Sequence, residues 1–283
     1  MDDISLLFLV LLAIGTFYSI ARDLRKPIVQ PPIQPADEKS NKDQIIYHGD
    51  QPGVTDEDIN DVLSTWQPYY KTLQPFLQLK FKQRIIEFMQ QKTFVINAAE
   101  GYREMPILTS AAAVQVCFGL DDCTLSNFTT IEIFTEEFFD ESCNKIINGE
   151  VDGNTISIAW NKFLEGNKDY TDCYNVGIHE IAHALYYQKM VVEHDDDIFI
   201  LAFTEVMKEA EKIFTEHSTN QILFRDYSFK NMQEFWATSI EIFFENPVDM
   251  SNHYNNFFIA LKTLLKQDPR NVASPLLQFQ VNI

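Results

Sequence analysis

The sequence predicts a helix-dominated α+β fold with one small sheet, carried behind an N-terminal membrane helix and a linker. Three observations point there. Several segments bury one face at helical spacing, two short β-branched runs read as strands, and residues 4–20 carry no charge.

The uncharged run, ISLLFLVLLAIGTFYSI, is short for a bilayer span but sufficient. Phe17 and Tyr18 suit the membrane interface, and Arg22, Arg25 and Lys26 follow at once. Only Asp2 and Asp3 precede it, so it lacks the basic start of a secretory signal, and no small-residue cleavage site ends it. Residues 1–25 are therefore expected to be an uncleaved single-pass anchor, with the rest of the chain in the cytoplasm. Residues 26–55 hold Pro27, Pro31, Pro32, Pro35 and Pro52 among polar residues and read as an extended linker. The globular domain is assigned to residues 56–283.

Thr55-Asp56-Glu57-Asp58 is a helix start ahead of Ile59, Val62 and Leu63. Leu73, Phe76, Leu77, Phe81, Ile85 and Phe88 give residues 70–91 a long amphipathic pattern. Residues 111–117 are small and apolar, as in a packed helix. Residues 129–134 and 155–160 read as strands, the second behind the turn signal Asp152-Gly153-Asn154. Helices are expected over 198–214, over 232–244 before Asn246-Pro247, and over 251–266.

Net charge is −19, with 41 acidic and 22 basic residues. A surface this acidic excludes nucleic acid as the expected partner, because phosphate contacts need clustered Lys and Arg. Cys117, Cys123, Cys143 and Cys173 include no Cys-x-x-Cys pair, which argues against a four-cysteine structural zinc site; they read as free thiols, with a Cys117–Cys123 bridge as the alternative.

The chemistry concentrates in His179-Glu180-Ile181-Ala182-His183. On a helix, residues four apart share a face, so both imidazoles can serve one tetrahedral zinc. Glu180 stands beside them and can take a proton from water at the metal. Ile178, Ile181 and Leu185 form an apolar stripe that buries the back of the helix. A catalytic zinc needs a third protein ligand. No glycine-spaced third histidine follows, and His194 sits in an acidic run that reads as a solvated loop. Glu234 and Glu241, two turns apart on an otherwise apolar and aromatic helix, are the better candidates.

NVGIHEIAHAL, followed by DYSFKNMQEFWATSIEIFFENP, resembles the Mlc titration factor A family of zinc-dependent peptidases. FLQLKFKQRIIEFMQQKTF, INAAEGYREMPILTSAAAVQVCFGL and ISIAWNKFLEG extend the resemblance upstream, with Ala159 where serine is usual. It spans roughly residues 63–269 and implies a gluzincin-like zincin fold, related to the catalytic domain of lethal-factor-type proteases. It implies Zn2+ held by His179, His183 and Glu234, Glu180 as general base, and Tyr227 facing the metal as oxyanion donor. Glu241 then falls, by helical spacing, to the role of orienting a ligand histidine. The implied activity is hydrolysis of a peptide or protein substrate. The alternative is a membrane-tethered regulatory protein that keeps a zinc site and binds a transcriptional or signalling partner. Two departures stand out. The segment after the histidines, Ala184-Leu-Tyr-Tyr-Gln-Lys-Met190, differs from the family's glycine-containing loop, so substrate preference is expected to differ. The anchor and linker are additions to a soluble pattern, and they weaken the transfer of the family's sugar-regulated repressor partner.

Overall fold

In a computed structural model, residues 44–48, 54–98, 101–141, 144–193, 196–216 and 223–271 are described. The expected anchor and His194 lie outside them. Among the described residues, no helix is long and apolar enough to cross a membrane.

A five-stranded mixed sheet runs in the order β1 (Ile45–His48), β2 (Thr93–Asn97), β3 (Thr130–Phe134), β7 (Thr155–Ala159), β6 (Gly149–Asp152). The three central strands are parallel to one another, and β1 and β6 are antiparallel edges. Alternation decides which face is buried: Phe94, Ile96, Ile131, Ile133, Ile156 and Ile158 all point into the core. A hairpin of β4 (Phe138–Asp140) and β5 (Lys145–Ile147) leads into β6, and Phe138 stacks on Phe134 at 4.1 Å. β1 falls inside the 26–55 stretch that reads as linker, so ordered structure starts ahead of Asp56. Its alternating pattern is only four residues long and is easily lost among polar neighbours.

The helices pack against this core. In α1 (Asp56–Trp66), Thr55 and Asp58 form a reciprocal capping box, with Asp58 N donating to Thr55 Oγ1 at 3.1 Å. The expected 70–91 helix is two elements, α2 (Pro68–Thr72) and α3 (Pro75–Gln90). Pro75 at the first position of α3 holds the preceding residue out of the helical region, which breaks the run at Leu73-Gln74. α4 (Glu104–Cys117) is longer than its apolar signature, and Met105–Cys117 are all buried. After β7 come α5 (Trp160–Lys168), α6 (Val176–Tyr187) and α7 (Asp197–Thr215). The segment expected to loop after the histidines is helical instead: α6 runs to Tyr187 and passes into a π-helical turn, Gln188–Val192. It has no glycine or proline, and burial of Ala184 and Leu185 carries the helix on. α8 (Met232–Glu245) follows a short 3₁₀ turn, Asp226–Phe229. The expected 251–266 helix also divides, into α9 (Pro247–His253) and α10 (Asn255–Leu265), at Tyr254, whose backbone leaves the helical region. Cys117, Cys123 and Cys173 are free thiols.

Candidate metal centre

Helix α6 begins at Asn175, whose side chain accepts the Ile178 N–H at 3.1 Å. Ile178, Ile181 and Leu185 are buried, which turns His179 and His183 to the opposite side. Helix α8 packs across α6 and is tied to it by Trp236 Nε1, which donates to Ala182 O at 2.8 Å. That contact sets the first turn of α8, and with it Glu234, beside the imidazoles. Asn231 caps this turn by accepting from both Gln233 N and Glu234 N.

Three donor atoms converge. His183 Nε2 lies 3.1 Å from His179 Nε2, and Glu234 Oε2 lies 3.2 Å from His179 Nε2 and 3.6 Å from His183 Nε2. Atoms that share a tetrahedral ion at roughly 2.1 Å stand about 3.4 Å apart. The His179, His183 and Glu234 set therefore has the spacing and the nitrogen and oxygen chemistry that a zinc-like cation takes. Glu234 is fixed in this pose because Lys230 Nζ holds its other oxygen at 3.2 Å.

The surroundings demand positive charge. Burial opposes protonation of His179, but hydrogen bonds to Glu234 and Glu241 outweigh it and lift the imidazole to about 10. Burial alone would raise Glu234, yet the two histidines hold its carboxyl well below the usual range. Glu180 is buried and raised, chiefly by desolvation, with the histidines acting against it. Three carboxylates around two imidazoles favour any cation that displaces the protons.

Glu241 is buried behind His179 and meets His179 Nδ1 at 2.7 Å through Oε1. Its Oε2 accepts the Asn175 backbone N–H at 2.7 Å. In the neutral ring of His179 this contact keeps the hydrogen on Nδ1 and leaves the lone pair on Nε2, facing the cluster. Tyr227 lies in the 3₁₀ turn with its ring centroid 6.3 Å from that of His179. The phenol is raised by desolvation, by the charge of Glu234 and by a hydrogen bond to Glu234, so it stays a donor at neutral pH. The sequence-derived residues His179, Glu180, His183, Glu234 and Tyr227 are thus brought together, with Glu241 behind them.

Two neighbours escape the sequence. The Cβ of any larger residue at Gly149, on edge strand β6, would come within 2.6 Å of the Glu180 side chain. Arg225 Nη2 donates to both oxygens of Glu241, at 3.3 and 3.2 Å. Gly149 could be suspected only from a glycine in a strand, and Arg225 only from its place two residues before Tyr227.

The profile of the family described as glucose-regulated metallo-peptidase M90 matches residues 51–266. No curated protein matches the chain.

Proposed function

The chain belongs to the glucose-regulated metallo-peptidase M90 family, that of Mlc titration factor A, and on that premise we propose that it is a zinc-dependent peptidase. The observation that carries this is the convergence of His179, His183 and Glu234 with Glu180 buried beside them. A site that served only structure would need no such base.

His179, His183 and Glu234 would hold the metal. When bound, zinc supplies Lewis acidity, acidifying water and polarising a carbonyl. The chain's own groups do the rest. Glu180 accepts the proton of the attacking water and returns it to the departing amine. Its desolvated pocket raises its basicity towards that task. Tyr227 donates a hydrogen bond to the oxyanion. Glu241 holds the His179 ring in place. Strand β6 pairs with β7 on one side only among the described residues, and Gly149 at its start touches Glu180. An extended peptide pairing with the open side of β6 would bring a backbone carbonyl towards Glu180.

The test is metal analysis of the full chain together with a peptide-cleavage screen, repeated on Glu180→Gln. The variant is expected to keep stoichiometric zinc and to lose about 10²–10⁴ in turnover. Turnover near wild type would overturn the role of Glu180. Full zinc content with no peptide cleaved by the wild type would favour the regulatory alternative.

We also propose that residues 4–20 anchor this domain to a membrane with the peptidase on the cytoplasmic side, on the charge pattern of the sequence. Fractionation, with protease added outside intact cells, tests it. A soluble domain refutes the anchor, and digestion from outside refutes the orientation.

A further inference from the structure

Arg225 joins parts of the site that come from distant stretches of chain. Its Nη2 spans both oxygens of Glu241, whose carboxylate meets His179 Nδ1. Its guanidinium stacks on the Tyr174 ring at 4.6 Å, and the Tyr174 hydroxyl accepts from Asn148 Nδ2 at 2.6 Å. Asn148 immediately precedes edge strand β6. The Arg225 carbonyl accepts the Ser228 N–H at 2.9 Å, closing the turn that carries Tyr227.

We propose that Arg225 is a positioning residue that acts through Glu241 to hold His179 in its ligand pose while anchoring the Tyr227 turn to the same carboxylate. The physical case begins with burial. The Glu241 side chain is 2% exposed, and a carboxylate there needs every lone pair directed and its charge matched. The Asn175 N–H and the His179 ring occupy one direction on each oxygen. Arg225 brings a permanently charged guanidinium to both oxygens of Glu241, and that delocalised group also packs on an aromatic ring. Without it the carboxylate would be free to rotate, and the lone pair of His179 Nε2 would lose its aim. A merely structural Arg225 would stabilise the fold and leave the metal affinity of the folded protein untouched. This inference rests on reading the cluster as a metal site.

The experiment uses the full chain and three variants: R225Q, E241Q and the double variant. It measures zinc affinity by chelator competition, the visible absorption of the Co2+ form, and the thermal midpoint. R225Q is expected to weaken zinc about 10–100-fold, the usual cost of disturbing a residue that orients a ligand, and to alter the Co2+ spectrum. E241Q should do the same, and the double variant should bind zinc no more weakly than E241Q, because Arg225 acts through that carboxylate. Unchanged zinc affinity and spectrum in a folded R225Q would overturn the proposal, as would losses that multiply in the double variant. If R225Q fails to fold, R225K is measured in its place, because it keeps the charge beside Glu241 and loses the planar guanidinium. Weaker zinc binding and an altered Co2+ spectrum in folded R225K support the proposal, and wild-type affinity and spectrum overturn it. Wild type that binds zinc but cleaves no peptide would fell the peptidase reading and leave this comparison intact. Wild type that binds no zinc would fell both.

Discussion

Gly149 leaves no room for a side chain between strand β6 and Glu180, and this makes it the most sensitive small residue of the site. The Cβ of Gly149→Ala would meet Glu180 Cγ, Cδ and Oε1, and the strand is held by its ladder to β7, so the carboxylate must move. A displacement of about 1 Å in a catalytic group costs about 10²-fold. Gly149→Ala should therefore lower kcat by that order with zinc content and thermal midpoint nearly unchanged; a normal kcat would show that Glu180 has slack. Tyr227→Phe should keep zinc and fold and slow turnover by about 10²–10³, the usual worth of one oxyanion donor. Steady-state kinetics on a peptide substrate separates this from a packing role, in which the rate stays normal. At this scale the sequence is informative where chemistry is local. His179, Glu180 and His183 share a helix turn, so their grouping follows from spacing alone. Glu234 is one of two candidates on its helix until the resemblance selects it, and Tyr227 is reached through the resemblance. Arg225 and Gly149 are not reached, because their partners lie 16 and 31 positions away and nothing near them marks the contact.

Helix α6 is placed by its first residue as much as by its apolar stripe. Asn175 caps the helix through Ile178 N, gives its own N–H to Glu241, and donates through Nδ2 to Glu245 Oε1 at 3.0 Å. Asn175→Ala removes the cap and the Glu245 contact and keeps the backbone bond to Glu241. The loss should be about 1–2 kcal/mol of stability, read as a lower denaturant midpoint, with zinc affinity changed less than in E241Q. Equal losses of zinc affinity in the two variants would place the orienting role on the Asn175 side chain. The elements visible from sequence are those with a long period. The helices over 198–214 and 232–244 match α7 and α8 within a residue or two. The runs over 129–134 and 155–160 match β3 and β7 closely. Two expected helices run across breaks: one at Pro75, which starts a helix rather than sitting within it, and one at Tyr254, where neither glycine nor proline marks the interruption. Strands β4, β5 and β6, of three or four residues and partly charged, have too few alternations to register.

Across the whole molecule, stability should depend on pH in part through a buried acid that is not itself a metal donor. Glu245 is raised to about 8, first by desolvation and then by the charge of Glu241 and Asp172. Its Oε2 is buried with no hydrogen-bond partner among the described residues, which disfavours the charged form. The folded state then holds a proton that the unfolded chain releases near 4.5. Stability contributed by this group is full below about pH 4.5, falls as pH rises, and is gone above about 8. At about 1.4 kcal/mol per pH unit, the wild type should lose a few kcal/mol across that window, and E245Q should lose visibly less. Denaturant midpoints at pH 5 and pH 8 for both proteins check this, and parallel losses would return Glu245 to the ionised state.

The open side of β6 has a consequence for what such an enzyme can cut. The strand is four residues long, and only a target backbone with its own N–H and C=O groups free can pair with it. A target segment locked in a helix or an inner strand must first let go of its own ladder. When that opening is fast relative to cleavage, the cutting rate follows the small fraction of time the segment is open. Selection among proteins would then follow how readily each one frays, and two substrates with the same cleavage sequence could differ in half-life by orders of magnitude.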